Sequence, residues 1–135
     1  PIVEDFNCIT VNGVTIIWHV NRFGESMAKL YAISSSCVEL LWVLEIEGHI
    51  IPDVKTTGEE LSLLLVITQE GYNFLLELES GVKLWEKNVR VGGEMAQCHL
   101  GSDYYVLAGN SFDEDGEADV YSNVAIAIQL LDAST

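Results

Sequence analysis

The sequence is short of bases: 6 Lys and Arg stand against 21 Asp and Glu, a formal net charge of −15. So few cations cannot build a phosphate-neutralising patch, which argues against nucleic acid and anionic lipid as partners. Proline is scarce, with 2 in 135 residues, and 49% of the chain is hydrophobic, so disorder is not expected. Long apolar runs are missing too. Stretches such as Leu63 to Ile67 are far too short for a helix to enter a bilayer, and no membrane insertion is expected. The three cysteines, Cys8, Cys37 and Cys98, are an odd count with no C-x-x-C pair and no Cys/His cluster. A structural zinc site is therefore not expected, and the cysteines read as buried small hydrophobes. Catalytic signatures are missing as well. No G-x-S-x-G, H-E-x-x-H or phosphate loop occurs, and His19, His49 and His99 have no Ser or Cys at motif spacing. The chain is expected not to be an enzyme.

What is present is period two. Val14, Ile16, Trp18 and Val20 alternate with Thr15, Ile17 and His19. Phe74, Leu76 and Leu78 alternate with Leu75, Glu77 and Glu79, and Val124, Ile126, Ile128 and Leu130 do the same near the end. This spacing predicts strands. Asn12-Gly13, Glu70-Gly71, Ser80-Gly81, Gly92-Gly93 and Gly101-Ser102 are read as the turns between them. A helix through Glu25 to Glu47 is permitted by propensity but lacks a persistent i, i+3, i+4 apolar stripe. The fold class expected is all-β.

The strands recur in sets, roughly over residues 1–47, 48–91 and 92–135, and the third set lacks a fourth strand. Trp42 and Trp85 fall at matching points, 43 residues apart. A four-stranded unit of about 40–50 residues is the length of a propeller blade.

The end of each set carries the specific signal. Tyr31-Ala-Ile-Ser-Ser-Ser-Cys-Val-Glu-Leu-Leu-Trp42 resembles the quinoprotein-like (PQQ-like) β-propeller repeat, Y-A-L-D-A-x-T-G-x-x-x-W. Phe74-Leu-Leu-Glu-Leu-Glu-Ser-Gly-Val-Lys-Leu-Trp85 matches with Gly81 at the turn, and Gln129-Leu-Leu-Asp-Ala-Ser-Thr135 begins a third copy. The first copy departs at Ser34 and at Val38, where aspartate and glycine are usual, which implies a looser turn. The resemblance implies about three antiparallel blades, the last incomplete, forming part of a larger propeller. It also implies that Trp42 and Trp85 wedge between neighbouring blades and that Gly81 serves the turn. Propellers close with about 4–8 blades, so remaining blades or a protein partner are expected, with possible self-association through open blade edges. Members of that family that act as dehydrogenases commonly carry adjacent cysteines near the quinone, and this chain has no such pair. A non-catalytic scaffold or protein-binding module, in an extracytoplasmic or cell-surface setting, is the function implied. A fragment of a quinone-dependent dehydrogenase and a cation-dependent adhesion or ligand-binding module are the alternatives.

One further loop, Ser111-Phe-Asp-Glu-Asp-Gly-Glu-Ala-Asp119, resembles the calcium loop of FG-GAP (integrin-type) propellers. Asp113, Asp115, Gly116 and Asp119 fit the later positions of D-x-D-x-D-G-x-x-D, and Ser111 replaces the first aspartate. The resemblance implies calcium held by Asp113, Asp115 and Asp119, since hard Ca²⁺ takes several carboxylate oxygens, and the other reading of the same residues is a solvated acidic hairpin insertion that holds no metal. The loop is expected between the second and third strands of its set, where the resembled family carries it between the first and second.

Overall fold

The computed structural model describes residues 5–20, 27–47, 51–56, 63–119 and 121–130. Among them every helix or strand is a strand, so the chain is all-β. Sheet 1 is built from β1 (Asp5–Val11), β2 (Val14–Val20), β3 (Met27–Ser34) and β4 (Glu39–Glu47). Sheet 2 holds β5 (Asp53–Thr56), β6 (Leu63–Ile67), β7 (Tyr72–Glu77) and β8 (Lys83–Asn88). Sheet 3 holds β9 (Val91–Leu100), β10 (Tyr104–Ser111) and β11 (Val124–Gln129). In each sheet, strands adjacent in sequence are adjacent in space and antiparallel, a meander. Between β1 and β2, β3 and β4, β6 and β7, β7 and β8, and β9 and β10 short turns account for this, because a tight turn can only return the chain beside itself. Asn12 and Gly13 take the two left-handed positions, φ 49 and 77, that a two-residue hairpin needs.

The segment tested for a helix is instead the β3–β4 pair. Its pairing has one irregularity: Trp42 stands opposite Ala32, and the register shifts immediately after, between Ala32 and Ile33. Sheet 2 does the same, with Trp85 opposite Leu75 and the shift between Leu75 and Leu76. The turns before the tryptophans also agree. Val38 N–H donates to Ser34 O at 2.9 Å, and Gly81 N–H donates to Glu77 O at 2.8 Å. Both residues sit at positive φ, 51 and 73. The departure at Val38 has therefore not loosened this turn, because the same backbone bond closes it.

Sheet 3 fixes its register differently from the sequence match. Ser35 N–H donates to Gly13 O and Leu130 N–H donates to Asp103 O, each at 2.8 Å. Each bond ties the end of a third strand to the first turn of its own sheet. Leu130 thus occupies the place of Ser35, whereas the match starting at Gln129 put Ala133 there. The ladder between β10 and β11 decides the alignment, and the common residues of the Leu-Asp-Ala-Ser stretch do not. Residues 131–135 lie outside the described residues.

Two other expectations are corrected. Gly92-Gly93 is not a turn between strands but lies inside β9. A side chain on Gly92 would meet the Gln69 carbonyl, and one on Gly109 would meet the Gly92 carbonyl, so these glycines allow close backbone approach. Of the cysteines, only Cys98 is buried. Cys8 and Cys37 are exposed, on an outer sheet face and in a turn respectively.

Sheet 2 lies between the other two, and the core divides accordingly. Leu64, Val66, Phe74 and Leu76 pack with Val14, Ile16, Trp18 and Leu30 of sheet 1. Leu63, Leu65, Ile67 and Leu75 pack with Cys98, Tyr105 and Leu107 of sheet 3. This is why β6 reads as an unbroken apolar run: both of its faces are buried. β11 has one covered face, and its residues alternate between half-buried and exposed.

Candidate functional site: indole seats between sheets and an acidic loop

Trp42 leaves β4 of sheet 1 and reaches sheet 2, where its indole Nε1–H donates to Leu78 O at 2.8 Å. The ring lies against Gly81. A Cβ built on that glycine would stand 2.6 Å from Trp42 Cδ2, so only a bare backbone fits beneath the indole. Trp85 leaves β8 of sheet 2 and donates from Nε1 to Leu130 O of sheet 3 at 2.6 Å. Leu78 and Leu130 each follow directly after the third strand of their sheet. Each indole therefore sets a large, half-buried ring at a seam and satisfies its single donor on the neighbouring sheet.

The second seam holds polar groups that the sequence did not single out. Asn73, fully buried on β7, donates from Nδ2 to the Tyr105 hydroxyl at 2.7 Å. Burial pushes the Tyr105 phenol up to about 12, although the Asn73 hydrogen bond works in the opposite direction. The Tyr105 ring stacks near Trp85, centroids 6.2 Å apart, and Lys87 Nζ lies 4.5 Å from the Trp85 centroid on its other contact. In the same cross-strand row of sheet 2, opposite Ile67 as Asn73 is, Asp53 of β5 accepts Cys98 N–H on Oδ2 at 3.0 Å, with Cys98 Sγ 3.7 Å away. Burial first, and the Asp53 charge second, push the Cys98 thiol well above its ordinary value. A thiol held protonated in this way is not a nucleophile. An isolated Asp, Asn or Tyr in a strand gives no pattern that identifies a partner on another sheet, so these contacts had no sequence signal.

The acidic loop lies between β10 and β11, the second and third strands of sheet 3. Phe112 and Ala118 pair across it, and Asp113 N–H donates to Glu117 O at 3.0 Å. Asp113 Oδ1 accepts the N–H groups of Asp115 and Glu117, each at 2.9 Å. Asp119 Oδ1 accepts Tyr121 N–H at 3.1 Å. Asp113 and Asp119 thus each commit one oxygen to shaping the turn, while Asp115 is exposed. Among the described residues no three His, Cys, Asp or Glu side chains are grouped closely enough to hold a metal ion. His99 lies on the outer face of sheet 3 beside Val106, the His19 side chain lies outside what is described, and so does all of His49.

Comparison with protein-family models and with curated proteins returns no match for this sequence.

Proposed function

We propose that the chain is a segment of a quinoprotein-like β-propeller, with three blades corresponding to the three sheets, and that it works as a non-catalytic scaffold for protein contact. The observation that carries this reading is the pair of indole bonds, Trp42 to Leu78 O and Trp85 to Leu130 O, at successive seams. Ordinary core tryptophans have no reason to share a strand register, a bulge and an acceptor position. Blades that stack in this manner cannot bury their own faces alone, so such a segment carries surface made for neighbours. Among the described residues β11 has a strand on one side only, which leaves backbone groups open to an added strand from a partner.

The test is hydrogen exchange combined with native mass spectrometry on the chain and on its larger assembly. The amides of Val124–Gln129 that point away from β10 should exchange quickly in the chain alone and be protected in the assembly. Absence of both a partner and self-association, with unchanged exchange in that strand, overturns the proposal. A calcium ion bound by the remaining oxygens of Asp113, Asp115 and Asp119 is proposed as an accessory. Calorimetric titration with Ca²⁺ that gives neither heat nor a change in melting temperature removes it.

A further inference from the structure

One cross-strand row of sheet 2 is polar where it meets sheet 3. Asp53 and Asn73 both stand opposite Ile67, and Lys87 stands opposite Asn73, so the row crosses the sheet from β5 to β8. Each polar member bonds a different strand of sheet 3. Asp53 Oδ2 accepts the Cys98 N–H of β9, Asn73 Nδ2 donates to the Tyr105 hydroxyl of β10, and Lys87 Nζ donates to Gln129 O of β11. Asp53 and Lys87 at the two ends of the row are half-buried, and solvent reaches both. It reaches neither Asn73 nor Tyr105 in the middle, which are fully buried.

The first seam is apolar at the same place. Val14, Leu63 and Tyr104 stand opposite Ser34, Glu77 and Gln129, the last residues of the third strands. Counting from there puts Leu30 in the place of Asn73 and Leu64 in the place of Tyr105. Leu30 and Leu64 are fully buried in one apolar cluster. Such a pair is complete once it is packed. A buried amide facing a phenol is complete only when donors and acceptors are matched.

Asn73 and Tyr105 do not match each other. The 2.7 Å bond from Nδ2 uses the phenol oxygen as acceptor. Asn73 Oδ1 is buried with no hydrogen-bond partner. The phenol proton is unspent as well, since the oxygen accepts in the only hydrogen bond it makes among the described residues. That proton is in place at every ordinary pH, because burial pushes the phenol up to about 12. Oδ1 shares its carbon with Nδ2, so the orphaned acceptor and the unspent donor lie side by side. Turning the amide end for end would give Oδ1 the phenol proton but leave both amide protons seeking acceptors.

A group that completes the pair must accept from an O–H and donate to Oδ1. A cation would face the phenol proton, and an anion has nothing to give Oδ1. Water does both and is the smallest molecule that does. We propose that the seam between sheets 2 and 3 binds one internal water, which accepts from the Tyr105 hydroxyl and donates to Asn73 Oδ1. With the Nδ2 bond it closes a ring of hydrogen bonds, and the leucines of the first seam bind none. The site needs only the contact of sheets 2 and 3, so it stands or falls separately from the propeller reading.

Magnetic relaxation dispersion of the solvent counts waters that stay in a protein for longer than it tumbles. The wild-type chain should hold one more than Asn73→Leu/Tyr105→Leu, which copies the first seam at both places. Tryptophan emission of the variant reports whether Trp85 keeps its seat. In the wild type, the side-chain amide protons of Asn73 should also show cross-relaxation with water, of the sign of a bound molecule and not of proton exchange. This readout does not require the variant to fold, and it decides the matter where the variant's emission is red-shifted. Equal water counts with unchanged emission overturn the proposal. So does a wild-type amide without that cross-relaxation, or an atomic-resolution crystal structure in which Tyr105 O–H donates directly to Asn73 Oδ1.

Discussion

The two seams of the molecule share one device and differ in almost everything else. Between sheets 1 and 2 the core is aliphatic and aromatic, and Trp42 rests on bare Gly81. Between sheets 2 and 3 the same indole bond is accompanied by Asn73–Tyr105 and Asp53–Cys98 pairs. The place of Asn73 in β7 is taken by Leu30 in β3, as the two pairing registers show. Apolar packing is non-directional and tolerates sliding, whereas a buried hydrogen bond is satisfied in one arrangement only. The first seam is thus held by shape around one ring, and the second by shape together with polar specificity. Neither is fully satisfied: Trp18 Nε1 in the first and Asn73 Oδ1 in the second are buried without a hydrogen-bond partner.

The largest effect should come from filling the indole seat. Gly81→Ala places a methyl against Trp42 at a positive φ, and a loss of about 3 kcal/mol is expected from overpacking and backbone strain together. Denaturant unfolding measures it, and a red shift of emission should accompany it. A loss of a few tenths would show that Trp42 is not held by this seat.

Next is the polar seam. Tyr105→Phe removes the acceptor of Asn73 Nδ2 and leaves a buried amide unpaired, so a loss of about 2 kcal/mol is expected. Adding Asn73→Leu, which copies the residue of the first seam, should recover most of it. If the double variant is no more stable than Tyr105→Phe alone, the seams differ by more than this pair.

Val38→Gly should act in the other direction. A β-branched residue at φ 51 is strained, and its relief should raise the stability of the isolated chain by about 1 kcal/mol. A thermal melt at low protein concentration measures this gain.

The smallest effect is with pH. Cys98 and Tyr105 both titrate higher in the fold than in the unfolded chain, because burial opposes their charged forms. Their contribution is complete below the ordinary thiol and phenol values. It declines as pH rises past those values, where the unfolded chain releases protons that the fold retains. A loss of about 1 kcal/mol by pH 9.5 is expected, mostly from Cys98. Melts from pH 7 to 9.5 should flatten in Cys98→Ala, and an unchanged slope would assign the pH dependence to other groups.

Much of the architecture was legible because strand signals are local. Alternation at Val14–Val20 and Phe74–Leu78 marked half of the ladders, and the Tyr31–Trp42 and Phe74–Trp85 stretches gave the spacing of the indoles. The rest was not, for identifiable reasons. Gly92-Gly93 resembles a turn from sequence, since nothing local shows that the Gln69 carbonyl passes beside it. Leu130 could not be aligned by residue type, because its position is set by a bond to Asp103 in the turn before β10. The use of Asp113 and Asp119 as turn caps was equally hidden, since a carboxylate that caps a turn and one that faces a cation have the same letter.

By itself the sequence determined that this chain would be strands joined by tight turns, because residue periodicity and glycine placement act over a few neighbouring positions. Only the tertiary structure decided which faces meet, which carbonyl each indole finds and which side chains are left facing outward. Those outcomes depend on groups far apart along the chain, whose burial and hydrogen bonding exist only once the sheets have packed.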